Sequence, residues 1–176
     1  MALPEAFRMA PMAGDRHDVK VLRAESGGDF DTVRMLFRAY AASLDVDLGF
    51  QGFEEEMATL PGKYAWPKGA LFLATDPDGQ AIGCVGVRPF DRPAACEMKR
   101  LYVRPAGRGR GTGRALAVEA IRFASTAGYR EMLLDSLPGM ESAIRIYRSL
   151  GFESISPYWN NTVPGILYFG KQLTGP

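Results

Sequence analysis

The sequence predicts one α/β domain built around a mixed sheet, and three observations predict it. Candidate elements run in the order helix, helix, strand, strand, then strand–loop–helix, strand–helix and two closing strands, the order of a single α/β unit. A glycine-rich run, Arg108-Gly109-Arg110-Gly111-Thr112-Gly113-Arg114, stands between a strand-like and a helical segment. The chain of 176 residues, 47% apolar and 23% charged, has the size and composition of one globular domain, with no internal repeat or low-complexity segment.

Residues 1–18 mix Pro, Gly, Met and charge without periodicity and read as a flexible arm; 19–176 form the domain. Val19 to Arg23 suits a short strand. Phe30 to Leu44 carries Phe30, Val33, Phe37, Tyr40, Ala41 and Leu44 at helical spacing, with Asp29 or Asp31 as cap candidates. A short acidic helix, Phe53 to Leu60, stops at Pro61-Gly62, and 62–69 reads as an ordered loop. Ala70 to Thr75 and Gln80 to Val87 are strands joined by Asp76-Pro77-Asp78-Gly79, a hairpin signal. Ala95 to Val103 is the strand before the glycine run. The helix after it, Ala115 to Ala127, keeps Leu116, Ala120, Phe123 and Ala127 on one stripe and ends at Gly128. Glu131 to Asp135 is a strand and Gly139 to Leu150 a helix bracketed by Pro138 and Gly151. Phe152 to Ile155 and Gly165 to Leu173 close the chain as strands.

Strand, glycine turn and helix N-terminus together build an anion site. First-turn amides lack intrahelical partners and sit at the positive end of the helix dipole. Glycines remove the Cβ atoms that would hold a phosphate away. A phosphate loop of the form G-x-x-x-x-G-K-[ST] is excluded, because no Lys-Ser or Lys-Thr follows these glycines. A G-x-G-x-x-G dinucleotide loop fails too: the sixth position is Arg114 counted from Gly109 and Leu116 counted from Gly111. R-x-x-G-x-G fits, with Arg108, Gly111 and Gly113. The competing reading is a solvated arginine-rich turn or a nonspecific nucleic-acid patch.

Composition limits the alternatives. Net charge is +1, so bulk electrostatics recruit neither nucleic acid nor an anionic membrane. Positive charge is local: Lys99, Arg100, Arg104, Arg108, Arg110 and Arg114 fall within sixteen residues, a pattern suited to a small polyanion. No apolar run has the length of a membrane span and the N-terminus lacks an apolar signal core, so a cytoplasmic protein is expected. Cys84 and Cys96 lie in strand-like segments and read as buried thiols. With His17 the sole histidine, neither a zinc cluster nor a Ser-His-Asp triad is available, and no metal is expected. Acid–base chemistry is left to carboxylates, tyrosine, lysine or water.

R-x-x-G-x-G after the Glu97–Val103 strand resembles the acyl-CoA-binding motif of the GNAT N-acetyltransferase superfamily. A second run, Ala143, Tyr147, Gly151 and Phe152, is similar to that family's N-x-x-A-x-x-x-Y-x-x-x-G-F pattern, with Met140 at the Asn position. The two motifs lie about thirty residues apart and cover roughly residues 80 to 155; element order extends the likeness to about 19–173. Leu48-Gly49-Phe50-Gln51 and Leu60-Pro61-Gly62-Lys63-Tyr64 resemble an uncharacterised bacterial subgroup. The resemblance implies a GNAT-type acyltransferase fold, with a mixed, mostly antiparallel sheet flanked by helices, and acetyl-CoA as co-substrate. It implies that the amides and charges of Arg108, Gly109, Arg110, Gly111, Thr112, Gly113 and Arg114 hold the CoA pyrophosphate. The backbone of Leu101, Tyr102 and Val103 would pair with the pantetheine arm. Ser142 or a backbone group would stand in for the missing Asn.

Acyl transfer from a thioester to an amine sets further demands. An alkyl amine of pKa ~10 is about 99.9% protonated at pH 7, so exposing its lone pair costs roughly 4 kcal/mol. A base must take that proton, a donor must meet the departing thiolate, and a fixed N–H must meet the thioester oxygen. The resemblance points to Glu97 as base, its pKa raised by partial burial, to Tyr147 as acid or sulfur contact, and to an oxyanion donor near Leu101. The alternatives are a salt bridge from Glu97 to Lys99 or Arg88, and a core aromatic at Tyr147. Phe50, Gln51, Arg88, Tyr158 and Asn160, with Tyr64 and Trp66, are expected near the acceptor, Arg88 as a site for a substrate carboxylate.

The expected function is acetylation of the amine of a small molecule by direct attack in a ternary complex, since no cysteine is placed as an acyl carrier. A protein N-terminal or lysine acetyltransferase, and a non-catalytic acyl-CoA sensor, are the alternatives. Edge strands of the C-terminal tail allow a homodimer.

Overall fold

The computed structural model describes residues 19–174, apart from the side chain of Phe50. The expected N-terminal arm and His17 lie outside the described residues. Seven strands form one sheet: β1 Lys20–Arg23, β2 Ala70–Thr75, β3 Ala81–Pro89, β4 Ala95–Val103, β5 Glu131–Ser136, β6 Glu153–Ser154 and β7 Leu167–Gln172, in the order β1-β2-β3-β4-β5-β7-β6. β4 and β5 run parallel; the other described neighbours are antiparallel. That parallel step needs a crossover, supplied by α3 Thr112–Thr126. α1 Gly27–Ala42, α2 Phe53–Thr59 and α4 Glu141–Ser149 complete the helices. The expected mixed, mostly antiparallel α/β architecture is the one observed.

Two cores hold the sheet. On one face Leu116, Ala117, Ala120, Phe123 and Ala124 of α3 pack on Phe72, Val85, Met98, Met132 and Leu134. On the other, Val33, Leu36 and Phe37 of α1 and Phe53 and Met57 of α2 cover Leu71, Leu73 and Cys84. Helix limits differ from expectation for local reasons. α1 starts earlier, because Ser26 is its N-cap: the Ser26 hydroxyl accepts from the Asp29 amide while Asp29 accepts from the Ser26 amide, a capping box. α3 begins at Thr112, inside the glycine run, not at Ala115.

One irregularity positions the site. Gly86 faces Lys99 and Cys84 faces Tyr102, so Arg100 and Leu101 together oppose Val85: a β-bulge, with Arg100 at φ 58. A left-handed non-glycine residue costs about 1 kcal/mol. Here its guanidinium is tied to Glu56 at 2.8 Å and to Gln51 at 2.9 Å. The bulge breaks the alternation of β4 and sends Lys99 and Arg100 to the same side of the sheet, one toward Asp135 and one toward α2. It also ends pairing with β5, which covers only Ala95–Glu97 against Glu131–Leu133. Beyond that point the two strands part and no longer pair with each other.

Candidate active site

The wedge between β4 and β5 opens at one end into a groove and at the other into a polar chamber. The groove is lined by Leu101, Tyr102, Val103, Arg108, Gly109, Gly111, Thr112, Gly113, Arg114 and Ser142, all residues expected to face the donor. Gly109 and Gly111 both have φ 74, the left-handed region that favours glycine. Gly111 is also the N-cap of α3, whose first helical hydrogen bond is Ala115 N–H to Gly111 O at 2.9 Å. The amides of Thr112, Gly113 and Arg114 precede it and are left without a helical acceptor. The loop is pinned from behind by Thr112 Oγ1 donating to Gly107 O at 2.8 Å and Arg108 Nε to Val103 O at 3.2 Å. Arg114 donates to Ser149 at 2.8 Å, and exposed Arg110 adds charge at the mouth.

The chamber is lined by Gln51, Lys99, Arg100, Asp135, Tyr147 and Asn161, with apolar walls. Asp135 is its organising anion: one oxygen accepts from Lys99 Nζ at 3.1 Å, the other from Trp159 Nε1 and Asn161 Nδ2 at 3.1 Å each. Burial pushes the Asp135 pKa up, but the Lys99 ammonium and the three donors outweigh it and hold the carboxyl below its ordinary value. Tyr147 packs edge-on against Phe152 at 5.9 Å, and burial raises its pKa, so the phenol stays protonated. Among the described residues every buried side-chain polar atom has a partner. The Tyr147 hydroxyl has none among those residues, so it opens on the chamber.

Several expected site residues stand elsewhere. Glu97 is 1% exposed and does not line the chamber. Arg88 Nε and Nη2 donate to its Oε2 at 2.9 and 2.8 Å, and Tyr158 donates to Oε1 at 2.8 Å. Lys99 Nζ lies 3.7 Å away, linking this cluster to Asp135. The salt-bridge alternative thus describes what Glu97 touches, and Arg88 and Tyr158 are its partners. The Tyr158 ring is wedged between Phe90 and Tyr168, at 5.1 and 5.4 Å. Asn160 is exposed, and its neighbour Asn161 takes the chamber position. Trp66 does not line the chamber; it lies under Arg23 and beside Phe123. Tyr64 is buried and donates to Glu56 at 2.8 Å. Phe50 falls in the 3₁₀ turn Gly49–Gln51.

Asp135, Lys99, Asn161 and Tyr40 were not expected as site residues. The adjacent charges Lys99-Arg100 inside a strand are the one sequence signal for the bulge that brings Lys99 to Asp135.

A family model described as acetyltransferase (GNAT) family matches residues 36–152. The chain belongs to the GNAT acetyltransferase family. A relative, an uncharacterised N-acetyltransferase of Schizosaccharomyces pombe, is 40% identical over 146 residues, 83% of this chain and 90% of its own. This eukaryotic relative means that a bacterial subgroup is not established. Among solved structures, a GNAT acetyltransferase of Staphylococcus aureus superposes with TM-score 0.72 at 15% identity, over 89% of this chain and 100% of its own. An acetyltransferase of Salmonella typhimurium, solved with its cofactor acetyl-CoA, gives TM-score 0.64 at 20% identity, over 89% and 94%. The protein is therefore an N-acetyltransferase of the GNAT fold. No helix among the described residues is long and apolar enough to cross a membrane.

Proposed function

We propose that this GNAT enzyme acetylates the amine of a small molecule by direct attack on the thioester within a ternary complex. The observation that carries the reading is that the glycine-loop groove adjoins a chamber lined by Asp135 and Tyr147, with Tyr40, Leu101 and Met140 lining both. Acetyl-CoA supplies the activated acyl group. The α3 amides with Arg108, Arg110 and Arg114 suit its pyrophosphate, and the β4 edge at Leu101–Val103, unpaired by β5 although Arg108 Nε holds the Val103 carbonyl, suits an extended amide-bearing arm paired as an added strand.

In the chamber, Asp135 and Asn161 orient the incoming ammonium. The depressed pKa of Asp135 makes it an anchoring anion, so the proton passes onward through water in the chamber to solvent. Tyr147, protonated at neutral pH, donates to the departing thiolate. Both cysteines support direct attack: Cys84 and Cys96 are 0% exposed, burial raises both thiols, and Cys96 is pushed up to about 12, so neither presents a thiolate to the acyl group. The Leu48–Gln51 turn and the Asn161–Ile166 segment wall the chamber on the acceptor side, which favours a small amine over a folded protein surface.

The test is release of the CoA thiol, with mass detection of N-acetylated product, across a panel of small primary amines, lysine peptides and free N-terminal peptides. Turnover confined to small amines is expected. Turnover of the peptides alone overturns the small-molecule assignment, and tight acetyl-CoA binding without turnover of any acceptor overturns catalysis.

A further inference from the structure

Three residues line both the groove and the chamber: Tyr40, Leu101 and Met140. Any extended ligand that starts at the glycine loop and reaches Asp135 passes between them. Leu101 and Met140 have no side-chain hydrogen-bond donor. Met140 stands where the family pattern has an amide, at the N-cap of α4, and makes no side-chain cap there. That leaves the phenol of Tyr40.

Its placement follows from α1. Val33, Phe37 and Tyr40 recur at helical spacing, and the first two are fully buried against the sheet. The Tyr40 ring continues that stripe and rests edge-on against Tyr102 of β4 at 6.0 Å. The ring is partly buried, yet its hydroxyl has no hydrogen-bond partner among the described residues. No fully buried side-chain polar atom among those residues is left unpaired, so this hydroxyl too faces the open wedge. Burial moves it up to about 12, with Arg100 pulling the other way, so at neutral pH it is a neutral donor.

We propose that the Tyr40 hydroxyl donates a hydrogen bond to a carbonyl oxygen of the acyl-pantetheine arm, supplying from α1 the contact that an α4 amide at position 140 would make. This rests on the wedge being the donor site. The carbonyl belongs either to the arm's amides or to the thioester, and comparing acetyl-CoA with CoA separates them.

The experiment is calorimetric titration of both nucleotides into the wild type, Tyr40→Phe, and Tyr40→Phe/Met140→Asn, with melting temperatures to confirm folding. Tyr40→Phe keeps the ring packing and is expected to weaken acetyl-CoA binding about 3- to 10-fold, the range of one net hydrogen bond. An equal loss for CoA identifies an arm amide, and a loss for acetyl-CoA alone identifies the thioester. Recovery in the double variant is expected. Wild-type affinity of Tyr40→Phe for both nucleotides overturns the proposal, whereas failure of the wild type to bind either overturns the donor site itself. A loss that the added Met140→Asn substitution does not recover overturns the exchange of roles between α1 and α4.

Discussion

Arg88 and Glu97 face each other across the β3–β4 pair, and the guanidinium grips a single carboxylate oxygen with Nε and Nη2, at 2.9 and 2.8 Å. Glu97 Oε1 is taken by Tyr158, so both oxygens of a carboxylate 1% exposed are occupied. Both oxygens already accept from neighbours, an arrangement that suits a structural ion pair. Glu97→Gln removes half of a buried pair and strands Arg88, which costs about 3 kcal/mol or more. A clear fall in melting temperature, with turnover per folded molecule reduced less than tenfold, is expected. Unchanged stability with a thousandfold loss of turnover would restore Glu97 as the base.

Tyr147→Phe leaves the contacts with Phe152 and Phe169 in place and removes only the hydroxyl. Proton donation to a leaving group is worth about 100-fold or more in rate. The expectation is a fall in kcat of that order, with acetyl-CoA affinity within about twofold of wild type. Steady-state kinetics with a calorimetric titration checks it; a loss confined to affinity would make Tyr147 a binding contact.

Gly111→Ala meets no neighbouring atom within 4 Å, so only the backbone at φ +74 objects. The strain is about 1 kcal/mol, and relieving it rotates the first amides of α3. Weaker acetyl-CoA binding with a small drop in melting temperature is expected. Undiminished binding would place the pyrophosphate elsewhere.

Asp135 and Glu56 both have pKa values below their ordinary positions of 3.8 and 4.5; burial raises them, but Lys99 and Arg100 respectively, with hydrogen bonds, prevail. A depressed folded-state pKa contributes stability above the unfolded-state value and loses it as pH falls through the folded one. Urea midpoints are therefore expected to hold from pH 7 to about 5 and to drop from near pH 4.5 downward. Asp135→Asn should flatten part of that slope; an unaltered slope would remove Asp135 from the account.

Direct attack requires no thiol. Cys84→Ala/Cys96→Ala, assayed for CoA release, is expected to turn over amines, and the buried thiols of the wild type are expected to resist alkylating reagents. A folded double variant without activity would contradict the ternary mechanism.

Much of the fold is legible in the sequence because it depends on local chemistry. The order of elements, the hairpin at Asp76–Gly79 and the glycine loop all follow from short-range pattern. What escapes depends on register. The bulge at Arg100 sends Lys99 and Arg100 to one side, and no alternation rule tells which oxygen each will meet. Asp135 reads as the end of a strand, and its role comes from Lys99, Trp159 and Asn161 converging from distant segments. Glu97 sits in a strand beside the wedge with Lys99 and Arg88 both in reach, and the β3 register is what puts Arg88 directly opposite it. Tyr40 reads as one more apolar position on α1, since periodicity sees a ring and not where its hydroxyl emerges.

The β4–β5 wedge and the α3 N-terminus are proposed together to receive acetyl-CoA. Hydrogen exchange of the backbone amides, measured with and without saturating acetyl-CoA, tests this most directly. Protection concentrated at Leu101–Val103 and at Gly109–Arg114, with β1 and β6 unaffected, is the predicted result. Protection absent from both segments while acetyl-CoA is demonstrably bound would contradict it.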